Sequence, residues 1–260
     1  MSLAARLRGH VEVLATRERN LDLDTPARYI EQALPEETAR HALVSGGRTV
    51  YNIESGQGDI VVGAHYDTVP GSPGADDNAS GVAVLIELSR MVGGVRFVAF
   101  ANEEAPYFLT AEMGSFVYAR DRASGVRAMF SLEMLGYYDD APNSQRYPTP
   151  LGLFYPDRGN FIAFVADLSC LNLVRRAAKV FRNNSDFPSE WLAAPSIVPG
   201  LSWSDHWSFR KHGIPAVMVT DTAFYRYPHY HLPSDTPEKL DYERMAKVTM
   251  GLAGMLKELQ

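Results

Sequence analysis

Residues 60–104 read IVVGAHYDTVPGSPGADDNASGVAVLIELSRMVGGVRFVAFANEE. The stretch opens as a buried strand, IVVGAHYD, and passes through a Gly/Pro-rich loop, VPGSPGADDNASG. From about Ala79 it turns apolar almost all round, as a buried helix does, and VRFVAFA returns to strand. Strand, helix, strand is the unit of a mostly parallel sheet covered by helices on both faces. In such sheets ligands bind outside the carboxyl ends of the strands. Here the second strand ends in two adjacent carboxylates, Glu103 and Glu104. Like charges repel, and a strand end packed on a core solvates them poorly, so their presence asks for a compensating partner.

The alternation continues outward. MSLAARLRGHVEVLATRERN has an amphipathic helical pattern in which Arg6, Arg8 and His10 interrupt any signal-peptide apolar run. A second helix is expected from about Thr25 to Ala39, and HALVSGGRTVYNIES alternates around Gly46 and Gly47 as a hairpin does. Downstream, AEMGSFVYARDR reads as a helix and VRAMFSLEML as a strand ending near Glu133. An irregular region from Gly136 to Asn160 follows, then a helix over FIAFVADLSCLNLVRRAAKVF and a Pro-rich stretch to Leu201. A short helix near DHWSFRKHG, the strand IPAVMVT and a loop dense in Tyr and His lead to a last helix, Pro237 to Leu259. Thr236 is its expected cap, and Leu240, Val248, Leu252, Met255 and Leu259 its buried stripe. The expected fold is α/β: one domain over residues 1–260 with a mixed, mostly parallel central sheet, helices on both faces, and the N-terminal helices of residues 1–40 packed on it.

The chain has 260 residues, 46% of them hydrophobic, enough for one large core. Twenty-five Lys and Arg against 31 Asp and Glu give a formal charge of −6 with no basic block. That balance argues against nucleic acid or an anionic membrane as partner. No apolar run approaches the roughly 20 residues that span a bilayer. The single cysteine, Cys170, cannot form an internal disulfide and is expected as a buried thiol. A cytoplasmic location is the default, with a secreted or periplasmic one open if a signal peptide has been removed; oligomeric state is not legible.

Charge collects at five places: His65 and Asp67 in GAHYDT, Asp76 and Asp77 in GADDNASG, Glu103 and Glu104 in ANEEAP, Glu133 in SLEMLG, and His231 in HYHLPSDT. Each alone has a plain structural explanation. His65 would be a hydrogen-bonded strand end, Asp77 a helix cap and Glu133 an ion-pair partner. Together they could converge at one edge of a parallel sheet, where several uncompensated carboxylates are destabilising without a cation. Zinc accepts imidazole nitrogen and carboxylate oxygen, and an aspartate can bridge two such ions. Two doubly charged cations against Asp77, Glu104, Glu133 and a hydroxide leave a neutral core, with one glutamate to spare. A carboxylate beside an activated water can act as general base and then general acid. Spacing alone does not decide which of Glu103 and Glu104 binds metal and which moves the proton.

Taken together, GAHYDT, GADDNASG, NEE and YHLPSDT resemble the dizinc aminopeptidase family of the bacterial leucyl aminopeptidases, which also contains glutaminyl cyclase and the glutamate carboxypeptidase and transferrin-receptor branch. The resemblance runs in order from about His41 to the last helix. It implies His65, Asp77, Glu104, Glu133 and His231 as ligands of two zinc ions, with Asp77 bridging. It further implies Glu103 as general base, Asp67 as the group orienting His65, and Asp205 as a supporting or substrate-positioning group. Glu133 stands where aspartate is frequent in the family. Tyr230 could donate its phenol to an oxyanion, while His206 and His212 are expected to be structural.

The expected activity is that of a zinc exopeptidase releasing N-terminal residues from a peptide or aminoacyl substrate. The aromatic residues Trp203, Trp207, Phe224, Tyr225 and Tyr227 are candidates to line a side-chain pocket. One alternative is a glutaminyl cyclase-like acyltransferase using one zinc. Another is a metal-free binding module of the same fold, which loss of ligands would mark; none is lost. Carboxypeptidase activity stays open, although no basic cluster for a substrate carboxylate stands out.

Overall fold

In the computed structural model, which describes residues 1–260, eight strands form one mixed sheet. The strands are β1 (Thr38–Ser45), β2 (Arg48–Gly56), β3 (Ile60–His65), β4 (Arg96–Phe100), β5 (Ala128–Glu133), β6 (Ile162–Asp167), β7 (Ser189–Ala194) and β8 (Ala216–Thr220). The helices are α1 (Leu3–Leu14), α2 (Asp24–Ala33), α3 (Gly81–Met91), α4 (Gly114–Arg122), α5 (Leu171–Asn184), α6 (His206–Lys211) and α7 (Tyr242–Leu259).

The strand order is β1-β2-β4-β3-β5-β8-β6-β7. Strands β4, β3, β5 and β8 run parallel to one another, and β6 and β7 form a further parallel pair. The β1–β2, β2–β4 and β6–β8 pairs are antiparallel. Alternation along each strand divides two cores. Val62, Phe97, Phe130 and Val219 join the large core that also takes residues from α1, α3, α5 and α7. Val61, Val98, Phe100 and Met129 face the other way, onto Tyr118 of α4 and Phe209 of α6. The chain leaves β3 through α3 to β4 on one side, then crosses through α4 to β5 on the other. Because these helices lie on opposite faces, the carboxyl ends of β3, β4 and β5 border a crevice, the place such a topology reserves for ligands.

Several boundaries depart from the sequence reading. The run FIAFVADLSCLNLVRRAAKVF, expected as one helix, is strand β6 followed by α5. A continuous apolar run does not distinguish a buried strand from a buried helix. The break comes at Asp167, whose carboxylate accepts from the Ser169 amide. The stretch to Leu201 contains the missed edge strand β7. Helix α2 stops at Ala33 rather than Ala39, because Leu34, before Pro35, is extended. Pro237 belongs to a separate short turn, Pro237–Lys239. The last helix begins at Tyr242 and is capped by Asp241 instead of Thr236. Cys170 is buried, and no helix is long and apolar enough to cross a membrane.

One buried cation fastens the N-terminal segment to the crevice. Arg19 is 2% exposed and donates to the carbonyls of Tyr66 (2.7 Å), Leu14 (2.9 Å), Pro73 (2.6 Å) and Gly74 (2.9 Å). Burial lowers its pKa to about 10, which leaves it charged at neutral pH. Arg19→Met would strand these carbonyls, so unfolding stability is expected to fall by about 3–5 kcal/mol. Urea denaturation measures it; a loss under about 1 kcal/mol would mean water replaces the guanidinium.

Candidate metal centre

The site residues stand at strand ends or on the segments that follow them. His65 is the last residue of β3, and Glu133 the last of β5. Glu103 and Glu104 follow β4, and His231 lies in the loop after β8 with a left-handed backbone, φ 59°. Asp77 is presented by the turn Ala75–Ser80, where its own φ and ψ, −103° and 88°, leave helical values. Gly74 opens that turn at φ 62°, and a side chain there would collide with the carbonyl of Asp77.

The turn is anchored from two directions. The carboxylate of Asp235 accepts from the amides of Asp76 (2.9 Å) and Asp77 (3.1 Å), and from the Tyr227 phenol (2.8 Å). Asp76 accepts from the Gly136 amide at 2.9 Å. Asn78 donates to the carbonyl of Leu132 and accepts from the amide of Met134, which clamps both sides of Glu133. Thus the residues of ADDNAS that do not face the crevice tie the Asp77 turn to the end of β5. Asp67 does a similar job for the glutamate pair, accepting from the amides of Glu103 (3.0 Å) and Glu104 (2.9 Å). Its distance to His65 Nδ1 is 3.6 Å, too long for a hydrogen bond, so its direct hold is on the backbone after β4.

Two clusters of donor atoms result, and they share one residue. His65, Asp77 and Glu133 form the first; Asp77, Glu104 and His231 form the second, with the candidate ligand atoms of each within 4.8 Å of one another. Asp77 Oδ1 lies 3.3 Å from His65 Nε2, while Asp77 Oδ2 lies 3.0 Å from His231 Nε2. Glu133 Oε2 is 3.5 Å from His65 Nε2, and Glu104 Oε1 is 3.4 Å from His231 Nε2. Glu103 is buried beside both clusters and belongs to neither.

The electrostatics are those of a site short of positive charge. Burial, with Asp77 adding to it, pushes the Glu104 carboxyl up to about 7. Burial also lifts Glu103 well above the carboxylate range; Glu104 and Glu133 reinforce this against the pull of His65. For His231 burial works downward, yet Asp77 and Glu104 carry the imidazole up to about 10. Both ring nitrogens of buried His65 and Oδ1 of Asp77 lack an aligned hydrogen-bond partner. Orphaned buried imidazole and carboxylate atoms facing one another across about 3 Å suit a divalent cation with nitrogen and oxygen ligands.

Ser204 is a holding residue without a signal in the sequence: its hydroxyl donates to Glu133 Oε2 at 2.7 Å and pairs with the Ser131 hydroxyl. Outer-shell partners of this kind tune metal affinity by about 10–100-fold. Ser204→Ala is therefore expected to weaken the metal affinity of the site about tenfold. Competition with a chromophoric chelator would show it, and unchanged affinity would remove Ser204 from the site. Asp235, also given no role by sequence reasoning, stood in plain view in the YHLPSDT motif.

Asp205 is fully buried with neither carboxylate oxygen hydrogen-bonded, and burial raises its pKa to about 7. His206 is held by the Leu201 carbonyl (2.8 Å) and lowered to about 4 by burial, and His212 packs edge-on against Phe116; both lie outside the clusters. Tyr230 stacks on His231 with ring centroids 3.8 Å apart. Beside Glu133 and Tyr230 opens a cavity whose walls include Tyr147, Trp203, Phe224 and Tyr225. Two expected wall residues are elsewhere. Trp207 packs on Phe116, and Tyr227 is buried with its phenol on Asp235.

The chain is 42% identical over 262 residues to the protein YfbL of Escherichia coli (strain K12), covering 91% of this chain and 81% of that one. A probable leucine aminopeptidase of Arthroderma benhamiae is 28% identical over 218 residues, covering 76% of this chain and 53% of the relative; the chain thus spans about half the length of that enzyme. The crystal structure of LapB from Legionella pneumophila superposes with a TM-score of 0.75 at 20% identity, over 98% of this chain and 72% of the other, a likeness of fold. The model of peptidase family M28 matches residues 49–256, the span that contains all five site motifs, and this chain belongs to that family.

Proposed function

We propose that the crevice is the active site of a zinc-dependent aminopeptidase, which hydrolyses the N-terminal bond of a peptide or aminoacyl substrate. The observation that carries this reading is that the two oxygens of Asp77 face different histidines, so that one carboxylate could serve two cation positions. His65, Asp77 and Glu133 would hold one zinc ion, and Asp77, Glu104 and His231 a second. When bound, such cations supply Lewis acidity that polarises the scissile carbonyl and acidifies water. Glu103, outside both ligand sets, takes the proton of the attacking water and returns it to the leaving nitrogen as the C–N bond breaks. Its buried, electron-rich surroundings favour proton acceptance. The Tyr230 phenol donates to the oxygen that gains charge at the tetrahedral carbon. Asp67 fixes the backbone on which Glu103 and Glu104 stand, and Asp205 adds to the negative field behind His65. Trp203 and Tyr225 flank the substrate side chain in the cavity.

The test is product analysis with zinc-loaded protein and short peptides, including one beginning with glutamine. Release of the free N-terminal amino acid is expected. Ammonia with a pyroglutamyl peptide would instead identify a cyclase, and release from the other end a carboxypeptidase.

A further inference from the structure

We propose that the cavity selects a basic N-terminal side chain, lysine or arginine, and that Glu190 on β7 receives its charge. The proposal rests on the aminopeptidase reading of the adjoining site. Its first support is register. Glu133 pairs with Thr220 across β5 and β8, Thr220 with Ala163 across β8 and β6, and Ala163 with Glu190 across β6 and β7. Residues paired in register share a face of the sheet, and all four line the cavity. The cavity floor is therefore a straight row that begins at a candidate metal ligand and ends at a second carboxylate. Three strand spacings separate these ends, about 14 Å between their α-carbons.

The second support is what lies between and around them. The lining contains no lysine, arginine or histidine, and its two charged residues are both glutamates. Val165 and Met218 extend the apolar floor, while Tyr147 and Tyr155 stack on one another in the wall, ring centroids 5.7 Å apart. Such a trough suits the methylene stem of a long cationic side chain, with aromatic faces near its path. An extended lysine or arginine stem covers about 6–7 Å, built from single bonds of about 1.5 Å. A charge-assisted hydrogen bond adds about 3 Å. With its α-carbon beside Glu133, such a residue and its hydrogen bond cover about 9–10 Å of that row. The Glu190 side chain, about 4–5 Å from α-carbon to carboxylate oxygen, has to lean along the floor to cover the rest; leucine stops well short.

Glu190 itself is available. It is half-buried and has no hydrogen-bond donor in the protein, and its one ionic neighbour, Arg182 Nη2, is 3.7 Å away. Arg182 points its guanidinium to the Ser189 hydroxyl and carbonyl instead. Burial raises the Glu190 pKa, the behaviour of a carboxylate that gains from an added cation.

The experiment compares kcat/KM of the zinc-loaded full chain on the p-nitroanilides of lysine, arginine, leucine and norleucine, which has the lysine stem without its charge. A lysine-to-norleucine ratio of about ten or more is expected for the wild type, consistent with one charge-assisted hydrogen bond. Glu190→Gln is expected to reduce that ratio about tenfold, and Glu190→Lys to bring it below one. A wild-type ratio at or below one, or a ratio unchanged by Glu190→Gln, would overturn the proposal while leaving the aminopeptidase reading intact. If none of the four anilides is cleaved, the aminopeptidase reading fails and the proposal falls with it.

Discussion

Glu103→Gln is expected to keep the metal content of the wild type while kcat falls by about 10²–10⁴-fold, the contribution of a well-placed general base. The expectation follows from position. Glu103 is 4% exposed and lies beside both donor clusters, yet contributes an atom to neither. The amide of Glu103 is already tied to Asp67, so removing one charge at the tip should not disturb the backbone that carries Glu104. Glutamine matches glutamate in volume but cannot take up a proton from water at neutral pH. Metal analysis and steady-state kinetics on the same preparation separate the outcomes. Wild-type turnover would reject Glu103 as base, and lost metal would make it a ligand.

Asp77→Ala should do more, because one side chain serves both clusters. Both cations are expected to bind at least 10²-fold more weakly, since a change merely in an outer partner of a ligand already costs about 10–100-fold. Activity should fall to background. His231→Ala touches the second cluster alone and should leave the His65, Asp77 and Glu133 position able to take metal. Calorimetric titration of the two variants distinguishes a shared site from two independent ones: if Asp77→Ala still binds two equivalents tightly, the bridge does not exist. Wild-type protein should also lose thermal stability on chelation, because a ligand bound only to the folded state stabilises it by about 2.7 kcal/mol at a hundred times its Kd.

How much of this was legible in the chain depends on the range of the interactions. The β3–α3–β4 unit could be read because its cues are local: a Val-rich run, a Gly/Pro loop and an all-round apolar helix. Strand β6 could not, because FIAFVAD runs into the apolar start of α5 and nothing in its periodicity separates the two. The overrun of α2 had a local warning in Pro35. In the site, the motifs that carry His65, Asp77, Glu103, Glu104, Glu133 and His231 were visible because charge at a strand end is conspicuous. Residues that hold those side chains were not. Asp235 meets the Asp76 amide across 159 positions, and Ser204 meets Glu133 across 71. A serine or aspartate in a loop announces no such partner. The aromatic pocket was read in part, because adjacency in sequence grouped Trp203 with Trp207, whereas helix α6 turns the second toward Phe116.

The most direct test is an anomalous-difference map, recorded above and below the zinc absorption edge, from crystals grown with zinc. Two peaks are expected, one bounded by His65 and Glu133, the other by Glu104 and His231, with the Asp77 carboxylate between them. A single peak away from Asp77, or none in this crevice, would contradict the two-cation centre.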